Sequence, residues 1–232
     1  MHSFLKFQNK IKLNTHIYTF NFERDRKSTF RAGQYIKLKQ KIFNETFEHF
    51  FTISSSPTNL HTLSITTKIR KFSSFKQSLL DLKPGALLEF EPPSGDFILN
   101  PRLENQVFIS GGMGITPFHS MLQYAHSKKL RNKFILISSF SKLEDVLFYD
   151  ELKDIEDKNQ NIKIIYTLTE DRSSNFKMGR ITKNLIRENL PAISNIHFMI
   201  VGPPQMVIDM ENEVDLLNLK SSTVQIENFT GY

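Results

Sequence analysis

The chain has no cysteine and no tryptophan, and only 9 glycines and 9 prolines in 232 residues. Without cysteine there is no disulfide framework, no thiolate metal site, no cysteine nucleophile and no cysteine-ligated iron–sulfur cluster within it. Without tryptophan, any aromatic stacking on a ligand falls to 21 Phe and 6 Tyr. The seven His show no metal-ligand spacing of the HxxxH kind, so no metal site is expected. No apolar run approaches the ~18 residues needed to span a bilayer. Met1–Lys6 carries no apolar core of signal-peptide length. The expectation is a cytoplasmic protein with no membrane span. There is no internal repeat and no low-complexity tract.

The net charge of +6 is unevenly spread. Residues 1–103 carry 16 Lys+Arg against 8 Asp+Glu, whereas residues 104–232 carry 14 against 16. A basic half suits an anionic cofactor, an acidic protein or nucleic acid. No DNA- or RNA-binding motif accompanies it, so no nucleic-acid partner is expected; the plainer alternative is a solvated basic surface.

The two halves also differ in period. Residues 1–100 read as all-β: short runs at Ile17–Phe22, Tyr35–Leu38, His49–Ile53, Leu63–Ile69 and Leu87–Phe90, punctuated by Ala32-Gly33, Ser56-Pro57, Pro84-Gly85 and Pro92-Pro93-Ser94-Gly95. A spacing near ten residues predicts a barrel or sandwich, with one short helix at Ser73–Leu82. Residues 104–232 alternate strand and helix. Strands are expected at Gln106–Ser110, Lys133–Ser138, Ile162–Thr167, His197–Val201 and Thr223–Ile226. Helices are expected at Thr116–Ser127, Glu144–Glu156, Ile181–Asn189 and Pro204–Leu217, with Ser141 to Glu144 as a capping box. That alternation predicts a doubly wound parallel sheet, with ligands at the carboxyl ends of its strands.

One such end carries the most informative segment, Ile109-Ser110-Gly111-Gly112-Met113-Gly114-Ile115-Thr116-Pro117. A strand runs into three glycines within four residues and then a helix start. Glycine lets backbone N–H groups approach an anion, and the helix start adds donors and partial positive charge. The lysine of an ATP-binding P-loop and the G-x-G-x-x-G spacing are both missing, so the segment points to a nucleotide diphosphate on a less common scaffold. Gly202-Pro203-Pro204 marks a second strand end.

Several segments, in order, make the chain resemble the ferredoxin–NADP reductase-like family of flavin oxidoreductases over nearly its whole length. Phe30-Arg31-Ala32-Gly33-Gln34-Tyr35 matches its F-x-x-G-Q-Y/F segment. His49-Phe50-Phe51-Thr52 with the following serines and Pro57 matches its R-x-Y-[ST] flavin motif. Leu82-Lys83-Pro84-Gly85 and Gly95-Asp96-Phe97 match the barrel-closing turn, and Gly111–Pro117 matches the nicotinamide cradle. Phe148–Leu152, Gly179-Arg180-Ile181, Gly202-Pro203-Pro204-Gln205-Met206 and the ending Glu227–Tyr232 also align.

The resemblance implies an antiparallel β-barrel that binds FAD (residues 1–100) joined to an α/β domain that binds NAD(P)H (residues 104–232). It places the Thr52 hydroxyl near the hydride-accepting N5 of the flavin. Phe50, Phe51, Thr66 and Lys68 would line the flavin, and Ser73 and Ser74 would contact its pyrophosphate, with N-capping as the plainer role. Gly111, Gly112, Gly114, Ile115, Thr116 and Pro117 would cradle the coenzyme, and Gly202, Pro203, Pro204 and Met206 would bound the nicotinamide pocket. Ser139 and Lys142 would lie by the adenosine ribose, where a cation favours a 2′-phosphate and hence NADPH over NADH. Glu227 would relay a proton, and Tyr232 would cover the flavin face until the coenzyme enters.

His49 departs from the family. A charged fork there would hold the pyrophosphate, and histidine is mostly neutral near pH 7. The lost charged hydrogen bond is worth about 1.5–3 kcal/mol. Weak FAD binding, or FMN instead, is expected unless Lys68, Arg70 or Lys71 compensates.

The resemblance implies hydride transfer from NAD(P)H to FAD. Electrons would then pass to a separate acceptor, such as a small acidic carrier (ferredoxin or flavodoxin) or an oxygenase component, from a monomer. Two alternatives stand beside it: a reductase that uses free flavin as substrate, and a nucleotide-sensing module without turnover.

Overall fold

The computed structural model describes residues 3–25, 28–172, 176–191 and 195–229. It divides into two units, residues 1–99 with 119–124 and residues 100–118 with 125–232.

The first unit is antiparallel. β1 (Ser3–Lys12), β2 (Ile17–Glu23), β3 (Tyr35–Ile42), β4 (Glu45–Thr52), β5 (Thr62–Lys68) and β6 (Leu87–Ser94) form one sheet in the order β4-β3-β6-β1-β2-β5. An antiparallel bridge between Ile53 and Ile65 ties its two edge strands into a barrel. Alternate residues point inward, so Leu5 and Phe7, Phe20 and Phe22, Ile36 and Leu38, and Leu63 and Ile65 fill the interior. Phe7 meets Phe22 edge-on, with ring centroids 5.8 Å apart. The short α1 (Ser74–Leu80) buries Phe75 and Leu79, four residues apart on one face, and Ser73 caps it by accepting from the Lys76 N–H.

β1 is absent from the strands expected above. Its register with β2 shifts between Phe7 and Asn9, and beyond that bulge every side chain from Asn9 to Lys12 is exposed. Half of the strand therefore lacks an apolar alternation to read. Pro92-Pro93 is not a turn, as expected, but lies in β6. These prolines sit where the β3–β6 register shifts and where β6 no longer pairs with β1, so neither is required to donate to a ladder.

The second unit is parallel. β7 (Asn105–Gly111), β8 (Lys133–Phe140), β9 (Ile162–Leu168), the two-residue β10 (Lys177–Met178), β11 (Ile196–Gly202) and β12 (Ser222–Asn228) lie in the order β10-β9-β8-β7-β11-β12. The chain runs outward from β7 to β10 and then returns to β11 on the other side of β7, so the strand order reverses between β7 and β11. In open α/β sheets that reversal opens the ligand crevice. Every residue of β7 is buried, as a central parallel strand requires.

The helices are α2 (Ile115–Ser127), α3 (Tyr149–Lys158), α4 (Lys183–Asn189) and α5 (Pro204–Asp215). The expected helix at Glu144–Glu156 is broken. Leu143–Asp145 make a single 3-10 turn after Lys142, which gives no side-chain cap, and α3 starts only after Phe148, held at φ 57°. The capping box expected at Ser141 therefore starts no α-helix. Among the described residues no helix is long and apolar enough to cross a membrane, and no group of three or more His, Asp or Glu could hold a metal ion.

Candidate functional site

The second unit builds a cradle where the strand order reverses. β7 stays extended through Gly111, and Gly112 turns the chain at φ +52°. Gly112–Gly114 form one 3-10 turn, and α2 follows at once. Nothing lies within 4 Å of where a Gly112 Cβ would stand, so this backbone is open to a ligand. Gly114 is glycine for a different reason: a Cβ there would meet the Val201 carbonyl oxygen at 2.4 Å, because the turn is pressed onto β11. Thr116 is buried, and its hydroxyl donates to the Met113 carbonyl at 3.0 Å, locking the turn.

Gly202 ends β11 beside this turn, where a Cβ on it would stand 3.4 Å from the Gly111 nitrogen, and Met206 fills the space against both glycines. Pro203 precedes α5 and Pro204 is its first residue, where a missing N–H costs nothing. Across the sheet, Ser110 pairs with Val201 and Val201 with Glu227, giving one row over β7, β11 and β12. Burial pushes the Glu227 carboxyl up to about 7. Its Oε2 is buried and has no hydrogen-bond partner among the described residues. A half-buried carboxyl with one unsatisfied oxygen and a raised pKa is suited to hold or exchange a proton near neutrality.

Ser139 lies within β8 rather than after it, half-buried and paired with Gly111, while Lys142 is exposed beyond the strand. Gly111, Gly112, Gly114, Ile115, Thr116, Ser139, Gly202, Pro203, Pro204, Met206 and Glu227 thus belong to one region of this unit, with Pro117 in the first turn of α2. Tyr232 lies outside the described residues.

The first unit gathers its predicted residues at the end of β4. Thr52 is 8% exposed, and its hydroxyl makes no hydrogen bond with the described residues. A lone hydroxyl at a mostly covered strand end fits the donor that a flavin ring requires. Strand alternation separates its neighbours. Phe51 is 2% exposed and stacks on Phe75, with centroids 5.9 Å apart. Phe50 is exposed on the other face, edge-on to Tyr35 at 5.2 Å. His49 lies on the Phe51 side, its ring 4.7 Å from that of Phe75. Burial, and then the charge of Lys76, lower the His49 pKa.

The serines after Thr52 are fixed from several directions. Ser54 Oγ shares a hydrogen bond with Thr66 Oγ1 at 2.9 Å, and Thr66 shares one with Thr19 at 2.9 Å. Thr66, on the face of β5 opposite Ile65, therefore braces this segment. Residues of α2 that sequence reading did not single out complete the anchoring. The His119 ring donates from Nδ1 to the Ser54 carbonyl at 2.8 Å, and Ser120 Oγ donates to the Ser55 carbonyl at 2.6 Å. Arg24 holds the loop beyond them, donating to the Pro57 and Asn59 carbonyls.

Ser73 and Ser74 open α1. Lys68 is half-buried, and Arg70 and Lys71 are exposed. The buried cation of this region is Lys76, which sequence reading missed. Its signal was present: it stands three residues before Leu79 and next to Phe75, on the face that α1 buries.

Two family models divide the chain. The oxidoreductase FAD-binding domain matches residues 3–98 and the oxidoreductase NAD-binding domain matches residues 108–212. A flavohemoprotein from Oceanobacillus iheyensis is 24% identical over 234 residues, covering 95% of this chain and 57% of the relative. The chain therefore spans little more than half of that relative's length. NADH-cytochrome b5 reductase 1 from Aspergillus terreus is 28% identical over 225 residues, covering 92% of this chain and 76% of the relative. Among solved structures, a ferredoxin NADP+ reductase from Neisseria gonorrhoeae with bound FAD and NADP shares the fold, with a TM-score of 0.83, 19% identity and 98% of each chain covered.

Proposed function

The chain belongs to the ferredoxin–NADP reductase-like family of NAD(P)H-dependent flavoprotein oxidoreductases, and from that membership we propose that it reduces a separate electron acceptor at the expense of NAD(P)H. The observation that carries this reading is the pairing of an FAD-binding and an NAD-binding match on one chain, the second over a glycine cradle at the switch point of the sheet. Bound FAD would supply hydride acceptance at N5 and release of electrons one at a time. The chain's residues hold and orient. Backbone N–H groups around Gly112 receive the coenzyme diphosphate, and the Thr52 hydroxyl donates towards the flavin ring. Glu227 holds a proton in the coenzyme domain.

The acceptor in this reading is a small acidic carrier protein or an oxygenase component. The 232 residues contain no cysteine to ligate a cluster of their own. The basic excess of residues 1–103 supports an acidic partner. Lys37 and Lys39 are paired with Glu48 and Glu91, so the attraction rests on exposed cations such as Lys12, Lys41 and Lys71. The named relatives, a flavohemoprotein and a cytochrome b5 reductase, add haem proteins to the acceptors worth assaying. Lys142 inclines the coenzyme choice to NADPH.

A second reading, reduction of free flavin as a substrate, is favoured by His49, because a histidine whose pKa is lowered by burial is a weak phosphate anchor. The two readings separate on one preparation. Protein that stays yellow through dialysis and reduces a carrier protein supports the first. Colourless protein that rapidly turns over added flavin supports the second.

A further inference from the structure

We propose that Lys76 is the cation that holds the phosphates of the flavin nucleotide, in place of the charged fork that the family carries where this chain has His49. The inference rests on the flavoprotein reading above and assigns a residue that the flavin motif does not contain. It replaces the compensation by Lys68, Arg70 or Lys71 expected from sequence.

The geometry is local to the barrel. β4 brings His49 against Phe75, with ring centroids 4.7 Å apart, and Lys76 is the next residue along α1. Lys76 is only 7% exposed, although an ammonium on a short surface helix can ordinarily extend into water. Its charge reaches His49, and the charge of Arg70 reaches Lys76. Three basic groups, from β4, from the segment before α1 and from α1 itself, thus act on one another electrostatically. Like charges oppose one another in the ligand-free fold and reinforce one another around an anion. Burial and Arg70 bring the ammonium down to about 8, so it remains mostly charged at neutral pH and a bound phosphate would hold the proton more firmly.

The choice of anion follows from position. Thr52, the residue expected at the flavin ring, lies three residues along β4 from His49. A strand advances about 3.3 Å per residue, so the His49 backbone stands about 10 Å along β4 from Thr52, of the order that a ribityl chain spans between ring and phosphate.

The test compares three ligands that share one ring. Dissociation constants for FAD, FMN and riboflavin are measured by fluorescence quenching with the wild-type chain, Lys76→Met and Lys76→Arg. Loss of a charged phosphate contact predicts that Lys76→Met weakens FAD and FMN by about tenfold or more and leaves riboflavin unchanged. Lys76→Arg should retain most of the FAD affinity. Adding His49→Arg to Lys76→Met should restore it. Equal weakening of all three ligands, or unchanged FAD binding, would overturn the assignment and leave Lys76 a packing residue. If Lys76→Met does not fold, Lys76→Gln takes its place in the comparison. Salt should weaken FAD binding and spare riboflavin, and a salt response shared by both ligands would count against the proposal. A wild-type chain that binds none of the three ligands would refute the flavoprotein reading itself, a result distinct from either outcome with the variants.

Discussion

Val201 on β11 pairs with Glu227 on β12, and the same Val201 carbonyl would meet a Cβ on Gly114 at 2.4 Å. One residue thus fixes both the coenzyme turn and the half-buried carboxyl. The last strand is held by pairing with β11 and by the Phe229 N–H, which donates to the Gly202 carbonyl at 2.9 Å.

Glu227 should make stability depend on pH. Its folded pKa of about 7 lies above the ordinary carboxyl value, so the fold binds a proton that the unfolded chain has released. Stability is full below the ordinary value, falls as pH rises towards 7, and is level above it. Glu227→Gln should flatten that slope and be relatively more stable at pH 8 than at pH 5. Denaturant unfolding of both proteins at the two pH values checks it. An unchanged slope in the variant would remove Glu227 as its source.

Gly112 and Gly114 should respond differently to alanine. Gly114→Ala places a methyl against backbone and should cost about 1–3 kcal/mol or more. Gly112→Ala meets nothing but keeps a left-handed residue, costing about 1–2 kcal/mol. Thermal melting ranks the two. Coenzyme titration of Gly112→Ala should show weaker NAD(P)H binding in a folded protein, since its methyl enters the space left for the diphosphate.

Thr52→Val should leave the fold intact, because the hydroxyl has no partner among the described residues to lose. Flavin reduction by NAD(P)H, followed anaerobically in a stopped-flow instrument, should slow by about tenfold or more, and Thr52→Ser should recover most of the rate. An unaltered rate in the valine variant would show that this hydroxyl does not serve the ring.

Lys142 gives a direct test of coenzyme choice. Lys142→Ala should raise KM for NADPH several-fold and leave KM for NADH unchanged in steady-state assays. A wild-type chain that strongly prefers NADH would overturn the inclination to NADPH.

The parts legible in sequence were those with local causes. The cradle could be read because three glycines between an apolar strand and a helix leave few conformations. The β7–β9 and β11 strands could be read because buried parallel strands are largely apolar along their length. β1 could not, since its outer half is exposed on both faces beyond a bulge. The break before α3 could not, because a phenylalanine at φ 57° contradicts local preference. Lys76 was missed for a related reason: only the assembled barrel shows that this lysine is turned inward, and the flavin motif directs attention to residues 49–52. His119 and Ser120 bond to residues some 65 positions earlier, a relation that no sequence window contains.

The central claim, one chain that takes hydride from a nicotinamide onto its own flavin, is tested most directly by the visible spectrum of the purified protein, supplied with FAD, before and after anaerobic NADPH or NADH. The account predicts a yellow protein that loses its absorbance near the flavin maxima on addition of coenzyme. A protein that takes up no flavin, or a flavin-loaded protein that neither coenzyme bleaches, would contradict it.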